Sequence, residues 1–166
     1  MIDPAHTSVR VPAECSQNEF NAFEVLVKLS GEVNPNGLRN RIENAYLLAW
    51  VVDSDGEMAG VAGLKNPEEA HRTSVFRESQ TDEDPKMYDV ELGWIFVRSE
   101  YRDKGLASKL VKELLAKETS NRMYATVRAN NKEVPFLMKK FGFVQSGAQY
   151  PSTEGDYDLV LYIKPE

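Results

Sequence analysis

The segment from Tyr88 to Glu118 constrains the fold more than any other part of the chain. Tyr88 to Val97 is rich in aromatic and β-branched residues and reads as the strongest strand. It runs into Arg98-Ser-Glu-Tyr-Arg-Asp-Lys-Gly105. A helix follows from Leu106 to about Glu118, with Leu106, Leu110 and Leu114 on one face. A strand, a glycine-bearing turn and a helix in that order leave the first helical amides without internal partners. Those amides point outward at the positive end of the helix dipole, where a pyrophosphate could accept several bonds at once. Gly105 and Ala107 lack bulk, and Arg102 and Lys104 add positive charge. Taken alone, the pattern fits an ordinary strand–loop–helix connection with two surface cations equally well.

Around this segment the chain alternates between strand and helix patterns. Val9 to Val11 reads as a short first strand. Ser16 with Glu19 forms a capping-box pattern, and Phe20, Phe23 and Val27 follow at helical spacing, with Leu26 and Leu29 widening the stripe up to Gly31. A short helix is expected over Leu38 to Asn44. Ala45 to Val52 and Glu57 to Leu64 flank the turn Asp53-Ser-Asp-Gly56 and read as a hairpin. Residues 66 to 87 are polar, hold Pro67, Pro85 and the acidic run Asp82-Glu-Asp84, and read as a long connection with a short helix near Glu68 to His71. Met123 to Arg128 is a strand. Asn131 to Phe141 is a helix with Pro135 in its first turn, ended by Gly142. Strands begin at Phe143 and at Tyr157. The expected fold is α/β, a single domain over residues 1–166 with a central twisted mixed sheet of six to seven strands and helices on both faces.

Composition narrows the function. The 166 residues carry a formal net charge of −6, with a pI of about 5.1. Non-specific binding to nucleic acid or anionic lipid needs a basic field, so no nucleic-acid or membrane partner is expected. Cys15 is the only cysteine, which excludes an internal disulfide and a multi-cysteine zinc site, and no metal is expected. The histidines, His6 and His71, offer it no evident base partner. No stretch approaches the roughly 20 apolar residues of a membrane span, and the first ten residues carry no signal-peptide pattern. The cytoplasm is the expected compartment.

Three signatures together resemble the GNAT superfamily of acyl-CoA N-acyltransferases. Arg102-Asp-Lys-Gly105-Leu-Ala107 resembles its Arg/Gln-x-x-Gly-x-Gly/Ala motif. Glu91 to Val97 is similar to its fourth strand. Asn131, followed by Phe141-Gly-Phe143, resembles its later Asn and Gly-Phe pair. The resemblance covers about Val9 to Ile163. It implies acetyl-CoA as acyl donor and transfer to a primary amine of a small molecule or a protein. It implies that the backbone of Ile95, Phe96 and Val97 binds the pantetheine arm. Arg102, Asp103, Lys104, Gly105, Leu106, Ala107 and Ser108 would hold the pyrophosphate, and Asn131 would contact the cofactor arm. Asn131 also suits a helix N-cap.

A protonated amine cannot attack a thioester, so a base is needed. Glu91, placed before the bulged part of the fourth strand, is the candidate, with Asp89 two residues away as its rival. The equivalent of the family's acidic Tyr is Met138, which cannot donate a proton. Tyr124 or Tyr150 could replace it, or the thiolate could leave unaided. Alternatively, the chain could be a CoA-binding module with little catalysis. Arg72, Arg77 and Arg128 could bind an anionic substrate group, and Asp82 to Asp84 a cationic one. An acyltransferase acting on charged tRNA would need a basic surface that this composition lacks. Residues 150–166 could pair two subunits as a homodimer.

Overall fold

The computed structural model describes residues 2–118 and 122–165. Its elements run β1 (Ile2–Arg10), α1 (Gln17–Leu29), α2 (Leu38–Glu43), β2 (Leu47–Asp53), β3 (Met58–Lys65), α3 (Glu69–Ser79) and β4 (Val90–Val97). They continue with α4 (Leu106–Lys117), β5 (Met123–Arg128), α5 (Val134–Lys140), β6 (Val144–Pro151) and β7 (Asp158–Lys164). The strands form a seven-stranded sheet in the order β1-β2-β3-β4-β5-β7-β6. β4 pairs parallel with β5, and β1/β2, β2/β3, β5/β7 and β6/β7 pair antiparallel, so the sheet is mixed as expected.

The elements pack in two groups. The first holds β1 to β3, α1, α2, α4 and the second half of β4. Phe20, Phe23, Leu26 and Val27 of α1 join Leu48 and Trp50 of β2 and Val61 of β3 in one buried cluster. Leu47, Ala49 and Val51, which alternate with these along β2, are buried as well, and α4 packs on β1 to β3. Both faces of this part of the sheet are therefore covered. Complete burial of a side chain such as Phe23 is worth about 1.5–3 kcal/mol. The second group holds α3, the start of β4, β5, α5, β6 and β7, around Val75, Phe76, Tyr88, Tyr124, Tyr150, Leu161 and Ile163.

The structure corrects three expectations. Residues 66–87 are not chiefly a loop, because α3 fills eleven of them. Its buried face is narrow, with Val75, Phe76 and Ser79, and its first turn is polar, so the helical period is faint in the sequence. It stops at Gln80 in the left-handed region, where a glycine would have been the recognisable signal. α5 begins at Val134 rather than Asn131, since the Asn131 side chain accepts from the amides of Glu133 and Val134, at 3.0 Å each. β1 reaches back to Ile2 and ends at Arg10.

One backbone feature of the first group positions the site. Trp94, in the middle of β4, has φ +56°. An aromatic residue held left-handed costs about 1–3 kcal/mol and persists only where surrounding contacts enforce it. Here the indole meets Phe23 edge-on, with centroids 5.9 Å apart, and carries Lys65 Nζ 5.0 Å above its ring. Beneath it lies Gly63 of β3, where an added Cβ would stand 2.7 Å from Trp94 Cε3.

Gly63→Ala should therefore lose about 1–3 kcal/mol through overpacking. A urea midpoint equal to that of the parent protein would show that the Trp94 conformation does not depend on this close approach.

Candidate functional site

The loop that follows β4 is tied down at several points. The Arg98 amide donates to Ala59 O (2.9 Å), and its Nε to Met58 O (3.0 Å). The Tyr101 hydroxyl donates to Asp53 Oδ2 (2.9 Å), which fixes the 3-10 turn Ser99–Tyr101 against the β2–β3 turn. The Glu57 amide, followed by the Tyr101 and Asp55 donors, holds the Asp53 carboxyl below its ordinary pKa. Arg102 Nε donates to Val97 O (3.0 Å), and its guanidinium lies over the Phe96 ring at 5.6 Å. The cation at the mouth of the loop is thus held against the end of β4, and the Val97 carbonyl is already engaged.

Asp103 and Gly105 both take left-handed conformations, φ +63° and +74°. Gly105 is the N-cap of α4 and supplies no side-chain acceptor to the first turn. Nothing lies within 4 Å of the place a Gly105 Cβ would occupy. The first turn of a twelve-residue helix thus has no side-chain cap at Gly105, and the exposed Arg102 and Lys104 precede it in the chain. This arrangement fits a phosphate-bearing ligand. Ile95 and Phe96 are partly exposed, whereas Val97 and Leu106 are buried.

The second group of elements contains a polar cluster inside its core. Glu91 is only 3% exposed, at the start of β4. The hydroxyl of the fully buried Tyr124 donates to Glu91 Oε1 (3.3 Å). His71 Nε2, on α3, stands 3.5 Å from the same oxygen. Burial first, and the Glu91 charge next, push the Tyr124 phenol far above its ordinary pKa. The same two causes raise Tyr150. Tyr150 is 6% exposed, and its hydroxyl has no hydrogen-bond partner among the described residues.

The two candidate bases are therefore distinguished by environment. Asp89 lies outside the strand, its side chain is 69% exposed, and it sits 3.9 Å from Arg72 Nη1. It does not share the setting of Glu91. Met138 is completely buried and serves as a core residue, while its neighbour Phe136 is exposed. Asn131 accepts from the Glu133 and Val134 amides ahead of α5, whose N-cap position is Glu133. Arg77 is exposed beside Glu78, and Arg128 stacks over Tyr157 at 3.8 Å. The acidic run is partly structural, because Glu83 accepts from Tyr88 and Asp84 caps the next turn. Burial, and then that contact, push the Tyr88 phenol up to about 12. Sequence reasoning missed His71 because its contact with Glu91 depends on the packing of α3, of which only the start is legible in the sequence. No group of residues suited to a metal occurs among the described residues, and none of their helices is long and apolar enough to cross a membrane.

The family model described as "Acetyltransferase (GNAT) family" matches residues 18–143. A curated Bacillus subtilis (strain 168) protein, described as a "putative ribosomal protein bS18-alanine N-acetyltransferase", is 25% identical over 127 residues. That alignment covers 74% of this chain and 72% of the relative. A GNAT-family acetyltransferase from Streptococcus agalactiae 2603 superposes with a TM-score of 0.68 at 16% identity, covering 100% and 99% of the two chains. A Sinorhizobium meliloti phosphinothricin acetyltransferase, solved in complex with AcCoA, gives 0.68 at 16% identity, covering 96% and 88%. At these identities the two structures speak for the fold alone.

Removing the Tyr124 hydroxyl leaves a buried carboxylate short of a donor. Tyr124→Phe should cost about 1–3 kcal/mol in urea unfolding, whereas exposed Asp89→Asn should stay within about 0.5 kcal/mol of the parent. Equal losses in the two variants would refute the distinction drawn between these sites.

Proposed function

The chain belongs to the GNAT acetyltransferase family and is an acetyl-CoA-dependent N-acetyltransferase, and from that premise we propose the roles of its residues. Acetyl-CoA, when bound, supplies the acetyl thioester that the amine attacks. The amides of Lys104 to Ser108 hold the pyrophosphate, with Asp103 and Gly105 shaping the loop and Arg102 adding its anchored charge. The main chain of Ile95 and Phe96, with the Val97 amide, aligns the pantetheine arm, and Asn131 borders it. Glu91 removes a proton from the substrate ammonium. Tyr150, kept protonated by burial and by the Glu91 charge, holds a proton for the leaving group in place of Met138.

The observation that carries this reading lies along β4. A buried carboxylate at Glu91 is followed by the left-handed Trp94 and then by a helix start with no side-chain cap at Gly105. The acceptor is a primary amine. The Bacillus subtilis relative is named for an alanine of a ribosomal protein, so a peptide N-terminus is the first acceptor to try, with small-molecule amines beside it. Cytoplasmic residence, independence of nucleic acid and a homodimer formed through residues 150–166 belong to the same proposal.

Calorimetric titration with acetyl-CoA, followed by turnover with a panel of amines, tests it. Gly105→Asp, which puts bulk and negative charge against the loop at a position where Asp tolerates the left-handed backbone, should weaken acetyl-CoA by about tenfold or more. Glu91→Gln should keep the parent affinity for acetyl-CoA and lose about 100-fold or more in kcat, most severely at low pH where the amine is protonated. Parent-like affinity in the first variant would remove the phosphate loop, and parent-like turnover in the second would remove Glu91 as the base.

A further inference from the structure

Conversion of an ammonium group to an amide removes two of its three N–H protons. One ends on the sulfur of CoA, and the other must leave the protein in every turnover. The reading of Glu91 as the base places that second proton on a carboxyl group that is 3% exposed. Its Oε1 already accepts from Tyr124, so Glu91 has little direct contact with water through which to discharge. A base that keeps its proton serves only once.

We propose that His71 is the proton outlet of Glu91, taking the proton at Nε2 and releasing it to solvent. This inference rests on the reading of Glu91 as the base. The imidazole has one nitrogen 3.5 Å from Glu91 Oε1, while its side chain is 55% exposed, so it joins the buried carboxylate to water. That separation is longer than a transfer-competent hydrogen bond, as is common before substrate binding closes a site. The O–H bond of protonated Glu91 breaks as an N–H bond forms at Nε2, leaving a carboxylate and an imidazolium. The imidazolium then gives a proton to water or buffer, and exchange with solvent restores a ring unprotonated at Nε2.

The other groups around Glu91 cannot take this role. Tyr124 is fully buried and has no path to solvent, and Tyr150 is 6% exposed. Both phenols already hold their protons. Arg72, the neighbour of His71, has no lone pair with which to accept. Asp89 is exposed but stands beside Arg72, and Glu78 is paired with Arg77 on the helix surface.

His71→Gln tests the proposal, because the exposed side chain can be replaced without opening the core. In a weak, dilute buffer its kcat should fall about tenfold or more, with the acetyl-CoA affinity seen by calorimetry unchanged. Added imidazole should restore turnover in proportion to its concentration, which a merely structural defect would not allow. The same addition should leave Glu91→Gln inactive, since the relay acts through Glu91. Parent-like kcat in His71→Gln, or a loss that imidazole does not relieve, would overturn the outlet. If Glu91→Gln turns over normally, the base reading itself falls. If Glu91→Gln is crippled while His71→Gln is not, only the relay falls.

Discussion

A tryptophan held left-handed inside a strand is the constraint on which the arrangement of β4 depends. Trp94 keeps φ +56° because Phe23 meets its edge, Lys65 covers one face and Gly63 leaves room beneath it. Edge-to-face packing contributes about 0.5–1.5 kcal/mol, and a cation over the ring about 0.5–1 kcal/mol or more. Together these are of the same size as the strain of the backbone, about 1–3 kcal/mol. The left-handed conformation of Trp94 is therefore maintained by packing from α1 and β3, and not by any preference of the strand itself. β4 starts as a paired strand at Val90 and Glu91, changes course at Trp94, and delivers Val97 to the anchored Arg102.

The two ends of β4 use opposite electrostatic strategies. At its far end, charge is exposed and backed by main-chain dipoles, since the Gly105 turn gives the first turn of α4 no side-chain cap. At its near end, charge is withdrawn from water. A buried carboxylate is costly unless donors replace its lost hydration. For Glu91 the Tyr124 hydroxyl and the His71 ring are such partners. The phenols gain proton affinity from the same charge, so both retain their protons beside the carboxylate. That is a suitable setting for a base that must accept from an ammonium.

Much of this was legible before any coordinates, and the exceptions have physical reasons. The Ser16–Glu19 box appears as read, with the Glu19 amide 3.1 Å from Ser16 Oγ and the Ser16 amide 2.8 Å from Glu19 Oε1. Short-range chemistry of that kind is written in adjacent residues. So is the Gly105 turn, which needs only a glycine between a strand and an apolar helical face. Only the start of α3 is legible, as a short helix near Glu68 to His71, because only Val75, Phe76 and Ser79 of its eleven residues are buried. The contact of His71 with Glu91, twenty positions on, is not legible, since helix and strand must be packed before it exists. Asn131 shows a milder version of the same limit. Its side-chain bonds to Glu133 and Val134 shorten the expected helix by three residues, a competition between side chain and backbone that composition does not decide.

Met138 gives this architecture its particular character. The position where the family resemblance implies a proton-donating Tyr is filled here by a fully buried Met, so proton handling cannot start from α5. Buried ionisable groups in the same group of elements include Glu91 of β4, Tyr124 of β5 and Tyr150 of β6, with the exposed His71 of α3 beside Glu91. A donor lost from one helix can be replaced by a phenol from a strand only if that phenol stays protonated, and burial beside a carboxylate enforces that condition. On the proposed reading of Glu91 as the base, the same carboxylate then requires its own route to water, because the burial that tunes the phenols also isolates it. Protonated phenols and an exposed imidazole are thus two consequences of one decision, to bury Glu91.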